Sequence, residues 1–239
     1  CIKMPREESV SFGVIEVDKK NFISGFQEKP AAPKPIPGDP EHIYASMGIY
    51  LFSAKVLAAE LEQDAADIRS DHDFGKNIIP KMIATSKKVL AYDFGEQSNY
   101  WRDIGTRDAY YQANMDLVRP TPSFDLYDKT WPLRSHHSHY PPVSLRTMHE
   151  DGREVRGVVV DSILSPGCVI EGGSVERSVL SAQVVIAKNA HVQDSVLMDG
   201  VLVGEGVQLK TAIVDKQVVI PAGEKIGYDL EHDRSRFAV

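Results

Sequence analysis

The sequence predicts an α/β layer followed by a parallel β-helix. Strand-like and helix-like segments alternate over residues 11–118, and from residue 158 apolar residues recur about every six positions with small or turn residues between them. A proline-bearing stretch with neither period lies between these two regions.

Within the first region, residues 13–17 and 22–27 flank the polar turn Asp18-Lys19-Lys20-Asn21 and read as a hairpin. Prolines at positions 30, 33, 35, 37 and 40 then exclude both helix and central strand, which predicts an extended, exposed loop. Residues 43–52 are nearly apolar throughout and read as a strand buried on both faces. Ser53 is the expected N-cap of a helix carrying Leu57 and Leu61. After the turn Asp71-His72-Asp73-Phe74, residues 75–86 set Ile78, Ile79, Met82 and Ile83 on one side of a second helix, with Pro80 marking a break or a restart. Residues 88–94 read as a strand, and Thr106 as the N-cap of a helix over 107–118.

The later period cannot be helical. Val169, Val175, Val207, Ile213 and Val219, at multiples of six, would scatter around a helix of 3.6 residues per turn. They suit a coil of three short strands in which each inward side chain stacks on its equivalent one coil above, and the repeat count gives roughly four coils. Solenoids of this spacing are usually left-handed, against the common crossover preference. Between the two regions, residues 119–157 carry Pro120, Pro122, Pro132, Pro141 and Pro142 and read as an ordered linker. The run Ser135-His136-His137-Ser138-His139 has neither tetrahedral spacing nor a carboxylate partner, so a polar linker segment is the better reading than a metal site.

Composition narrows the function classes. Net charge is −7 over 239 residues with acids and bases interspersed, which leaves no electrostatic footprint for nucleic acid. No apolar run approaches a membrane span and no signal peptide is visible. Cys1 and Cys168 fit neither a disulfide framework nor a zinc pattern, which suits a reducing cytoplasm. The chain opens at Cys1 without an initiator Met, consistent with a processed product or a segment of a longer protein.

The stretch Trp101-Arg102-Asp103-Ile104-Gly105-Thr106 places one carboxylate where the chain enters a helix. The helix end favours anions, and a hard carboxylate oxygen is what Mg²⁺ takes from a protein while phosphates and waters supply the rest. An Asp before a cap is also an ordinary turn former, and both readings stay open on spacing alone. Glu28-Lys29 reads equally as a solvated pair, Gly13 as a strand start, Ser46 as a small core residue, and Tyr100 and Trp101 as packing anchors.

Several motifs occur in order: Phe12-Gly13-Val14, Phe26-Gln27-Glu28-Lys29-Pro30, Ala45-Ser46-Met47-Gly48-Ile49-Tyr50, Asp73-Phe74-Gly75-Lys76-Asn77, and Tyr100-Trp101-Arg102-Asp103-Ile104-Gly105-Thr106. Together, from about residue 11 to Phe237, the chain resembles the bacterial ADP-glucose pyrophosphorylases, the glucose-1-phosphate adenylyltransferases of glycogen synthesis. The resemblance implies the sugar-phosphate half of a Rossmann-like nucleotidyltransferase domain over 1–118, a linker over 119–157, and a left-handed β-helix over 158–239. It further implies a cytoplasmic homotetramer under allosteric control by small-molecule effectors, joining ATP and glucose 1-phosphate into ADP-glucose and pyrophosphate with Mg²⁺.

By the same resemblance Lys29 grips the phosphate of glucose 1-phosphate and Glu28 accepts sugar hydroxyls. Gly13 meets the sugar through its backbone, Ser46 hydrogen-bonds the glucose, and Asp103 is one of two aspartates that hold the metal; Lys29 and Asp103 are the expected catalytic residues. Lys216 aligns with a basic position that contacts a sugar-phosphate activator in some members, although an exposed Lys at a coil corner is the ordinary reading. The family's glycine-rich phosphate loop and second metal-binding aspartate are not found in this sequence, so no turnover is expected from this polypeptide alone. Three alternatives stand: a uridylyl- or thymidylyltransferase of similar fold, a non-catalytic regulatory or assembly subunit, and a hexapeptide acyltransferase, for which His191 is the only histidine within the repeats.

Overall fold

A computed structural model describes residues 1–96, 100–134 and 138–237. The chain divides into two compact units, Cys1–Trp101 and Arg102–Val239.

The first unit is built on an antiparallel sheet of β1 (Ile2–Pro5), β2 (Gly13–Val17), β3 (Ile23–Glu28) and β4 (His42–Ala45), in the order β1-β4-β2-β3. The expected hairpin is β2–β3. Its turn closes because Asp18 Oδ1 accepts the amides of Lys20 (2.7 Å) and Phe22 (3.0 Å), while Asn21 takes the left-handed conformation its short side chain tolerates. The proline-rich loop is irregular, with a single bridge between Ile36 and Asp39, and Pro33 is buried while its neighbours are exposed.

Three elements differ from the sequence reading. Only residues 43–45 of the apolar segment 43–52 are strand, as the end of β4, and Ile49 beyond them is 74% exposed. Pairing with β2 stops at its first residues, where the Ser46 amide donates to the Gly13 carbonyl, and Gly48 at φ +70° then turns the chain away. Residues 88–94 form no strand: Leu90 makes an isolated bridge to Phe22 with two flanking backbone bonds, and Tyr92 and Phe94 bond instead to Cys1. Ser53 begins α1 (Ala54–Ala65) through its backbone carbonyl, with no side-chain cap bond. The break expected at Pro80 is present: a π-turn over Phe74–Ile78 passes into α2 (Ile79–Ala84), whose first turn tolerates a residue with no N–H.

The second unit opens on α3 (Arg107–Leu117), capped as expected by Thr106, whose Oγ1 accepts the Ala109 amide at 3.1 Å. Residues 144–156, inside the expected linker, form a hairpin instead: β5 (Ser144–Glu150) and β6 (Arg153–Arg156). The hexapeptide period is absent there because these residues pair with each other across a turn rather than winding a coil. The hairpin covers the open edge of the solenoid through parallel pairing of β5 with residues 169–171, and Val143 packs on the core.

The solenoid strands are β7 (Val158–Val160), β8 (Ile163–Leu164), β9 (Val169–Glu171), β10 (Ser174–Glu176), β11 (Val179–Leu180), β12 (Val185–Ile186), β13 (His191–Gln193), β14 (Val196–Leu197), β15 (Leu202–Val203), β16 (Gln208–Lys210), β17 (Ile213–Val214), β18 (Val219–Ile220) and β19 (Lys225–Ile226). They stack as three parallel sheets, β7-β10-β13-β16-β19, β8-β11-β14-β17 and β9-β12-β15-β18, which is about four coils. Val175 lies beside Val192 and Leu180 beside Leu197, each pair seventeen residues apart. Three hexapeptides would need eighteen, so a strict multiple of six does not hold phase with the coil. Val175 and Val207 are buried as expected, whereas Val169, Ile213 and Val219 sit beside the core residues Ile170, Val214 and Ile220. A short helix, α4 (Leu230–Arg236), follows the last coil and is capped by Asp229. Ser135, His136 and His137 of the histidine run lie outside the described residues. Among the described residues no helix is long and apolar enough to cross a membrane.

Candidate sugar-phosphate site

One end of the first unit's sheet gathers four of the residues singled out in sequence. Gly13, the first residue of β2, is in register with Glu28, the last of β3. The Lys29 amide donates to the Phe12 carbonyl at 3.0 Å, and the Ser46 amide to the Gly13 carbonyl at 2.8 Å. Three separate segments thus end at one corner, and ordinary sheet pairing puts Gly13, Glu28, Lys29 and Ser46 side by side.

The corner depends on a missing side chain. A Cβ on Gly13 would lie 2.7 Å from Phe26 Cζ and 3.2 Å from Glu28 Oε2, so Gly13 is more than a strand start. The Phe26 ring also lies against Gly75, where a Cβ would be 3.2 Å away, which seats the Asp73–Gly75 turn at the same corner. Asp73 fixes that turn by accepting the amides of Gly75 and Lys76, each at 2.8 Å. Further back, Asp64 accepts the Ser70 hydroxyl (2.6 Å) and lies 2.8 Å from His72 Nδ1. These two bonds, the hydroxyl first, hold the Asp64 carboxyl below the usual carboxylate range.

Lys29 is exposed and has φ +48°, a conformation uncommon for a residue with a Cβ and a form of strain that gathers at functional sites. Glu28 is exposed as well, and among the described residues neither Glu28 nor Lys29 forms an ion pair. The chain after Lys29 is anchored by buried Ser9, whose hydroxyl donates to the Pro30 carbonyl at 2.8 Å. Ser46 is not a core residue: its Oγ lies 3.3 Å from the Tyr50 hydroxyl. Tyr50 stacks on Phe74 with ring centroids 5.5 Å apart, and Phe12 meets Trp101 edge to face at 5.7 Å, which makes Trp101 the packing anchor expected. Phe26, Tyr50 and Phe74 were not singled out in sequence; the paired glycines 13 and 75 are the signal that a large ring fills the space between them.

Asp103 belongs to the second unit. Its carboxylate is exposed and lies over Gly105, where a Cβ would sit 3.4 Å from Oδ2. The preceding Arg102 reaches Asp116 on α3, with Nε at 2.9 Å and Nη2 at 2.7 Å from Oδ2. Among the described residues no group of three or more His, Cys, Asp or Glu could hold a metal ion by itself. A single open carboxylate fits Mg²⁺ as one ligand, since that ion takes one or two carboxylates and fills its remaining positions with phosphate and water. Lys216 sits in the turn between β17 and β18, exposed, with its amide on Asp215 Oδ1 at 2.7 Å. His191 Nδ1 lies 2.6 Å from Ser174 Oγ on the polar five-stranded face of the solenoid.

Residues 1–119 match the family model described as nucleotidyl transferase. The chain belongs to the nucleotidyl transferase family. Residues 143–239 match a second model, described as GlmU-like, C-terminal hexapeptide, which begins at the edge of β5. Among curated relatives this nucleotidyl transferase is 46% identical over 249 residues to a glucose-1-phosphate adenylyltransferase of Anaeromyxobacter sp., covering all of this chain and 60% of the relative. It is 44% identical over 241 residues to that of Shewanella frigidimarina, covering 99% of this chain and 56% of the relative. It is also 44% identical over 246 residues to the glucose-1-phosphate adenylyltransferase 2 of Vibrio cholerae, covering 100% and 59%. The chain therefore spans between 56% and 60% of the length of these three relatives.

Proposed function

We propose that the corner of β2, β3 and β4 binds glucose 1-phosphate in a glucose-1-phosphate adenylyltransferase, which joins that sugar phosphate to ATP to give ADP-glucose and pyrophosphate for glycogen synthesis. The observation that carries this reading is the meeting of Gly13, Glu28, Lys29 and Ser46 at one sheet end, and the names of the relatives supply the substrate class. In-line attack of the sugar phosphate on the α-phosphate needs positioning and charge neutralisation rather than a covalent nucleophile. Lys29 supplies a compact cation for the phosphate, and Glu28 and Ser46 take sugar hydroxyls. Gly13 lets the sugar approach the backbone.

Asp103 would give one oxygen to Mg²⁺. When bound, the ion neutralises phosphate charge. Lys216 is the proposed contact for an anionic allosteric effector, in a cytoplasmic homotetramer.

Calorimetric titration of the chain with glucose 1-phosphate tests the reading. Lys29→Ala should weaken binding at least tenfold, since a hydrogen bond to a charged group contributes about 1.5–3 kcal/mol. Glu28→Gln should weaken binding to a smaller degree. Binding that is absent in the parent chain, or unchanged by Lys29→Ala, contradicts the assignment.

A further inference from the structure

Asp116, in the last turn of α3, is only 3% exposed, and it accepts Arg102 through two nitrogens on one oxygen while Arg119 Nη2 lies 3.1 Å from the other. A buried carboxylate is costly unless it is paired; here Arg102 hydrogen-bonds one oxygen and the Arg119 guanidinium is an ion-pair neighbour of the other. The pairing also constrains the chain before the helix. Residues 102–106 form a strap tied to one helix at both ends: Thr106 on its first turn and Arg102, through its side chain, on its last. Asp103 is the residue next to the Arg102 anchor, with its carboxylate over Gly105.

We propose that Asp116 is a positioning residue for Asp103: by gripping Arg102 it anchors the 102–106 strap and fixes where the Asp103 carboxylate meets a divalent cation. The inference rests on reading Asp103 as a cation ligand. It makes Asp116 act through Arg102, without touching cation or substrate. Arg119 shares the carboxylate but lies beyond the helix end, so it balances charge without tethering the strap.

Two solution measurements on the full chain decide it: backbone ¹⁵N order parameters, and line broadening by Mn²⁺ alone as a probe of cation contact. In the parent chain, residues 103–105 should show order near the rigid value of about 0.85, with broadening centred on Asp103. Asp116→Asn, which keeps the shape but loses the charge, should drop 103–105 below about 0.6 and reduce the broadening at Asp103 severalfold, with the solenoid unchanged. Arg102→Gln, at a half-exposed side chain and so the safer variant for folding, should do the same, and Arg102→Lys should fall between. Unchanged order at 103–105 in both Asp116→Asn and Arg102→Gln overturns the positioning role. Absent Mn²⁺ broadening at Asp103 in the parent chain overturns the cation reading and this inference with it, while leaving the glucose 1-phosphate corner, tested by titration, untouched.

Discussion

In the solenoid each inward side chain has its equivalent sixteen or seventeen residues away, as Val175 has Val159 behind it and Val192 ahead. In the α/β unit the neighbours of β2 come from residues 23–28 on one side and 42–45 on the other, and its sheet ends in the exposed segment that carries Ile49. One region repeats a single packing solution and buries a continuous column from Cys168 to Ile220; the other gathers unlike segments at a corner that it leaves open. The difference teaches where each kind of residue belongs. A regular column has no free edge for chemistry, whereas a sheet end where three segments stop presents backbone, charge and hydroxyl together.

The widest gap between the regions should appear on truncating an apolar side chain. Leu197, wholly buried in the column, should cost about 2–5 kcal/mol on replacement by Ala, whereas Ile49→Ala should stay within about 0.5 kcal/mol by denaturant unfolding. Equal losses at the two positions would erase the distinction.

A smaller effect belongs to the α/β unit alone. The Asp64 carboxyl is held below its unfolded value by Ser70 and then His72, so its contribution is present above the unfolded carboxylate range and is lost as pH falls through the folded value. Acid unfolding of Asp64→Asn should therefore be less steep at the low end of the carboxylate range than that of the parent chain. Loss of α/β structure followed by far-ultraviolet dichroism should show this, while the solenoid signal holds. Identical acid limbs for the two chains would remove Asp64 from the account.

The same contrast explains what could be read in the amino-acid order. The solenoid strands were legible because their contacts recur at a near-constant interval, and only the phase differed: the inward position is Ile170 rather than Val169 and Ile220 rather than Val219. The β2–β3 hairpin was legible from the local chemistry of Asp18 and Asn21. Segment 43–52 was not, because an apolar run has the same composition whether it lies in a sheet or stacks its rings beyond one, and only Gly48 hints at the departure. At the site, Gly13, Glu28, Lys29 and Ser46 stand out in their motifs, but their meeting is a product of register between distant strands. Tyr50 and Phe74 stood only within an apolar run and a turn, and nothing in the amino-acid order announced that their rings stack. Asp116 gave no signal beyond an acid three residues before Arg119, because its bond to Arg102 crosses fourteen residues.

The most direct test of the central claim maps glucose 1-phosphate onto the backbone by amide chemical-shift changes during titration. Saturable shifts should cluster at Gly13, Glu28, Lys29 and Ser46 and spread to Tyr50 and Gly75, with the strands of the solenoid silent. Shifts centred on the solenoid, or none at the β2–β3–β4 corner at saturating sugar phosphate, would contradict the account.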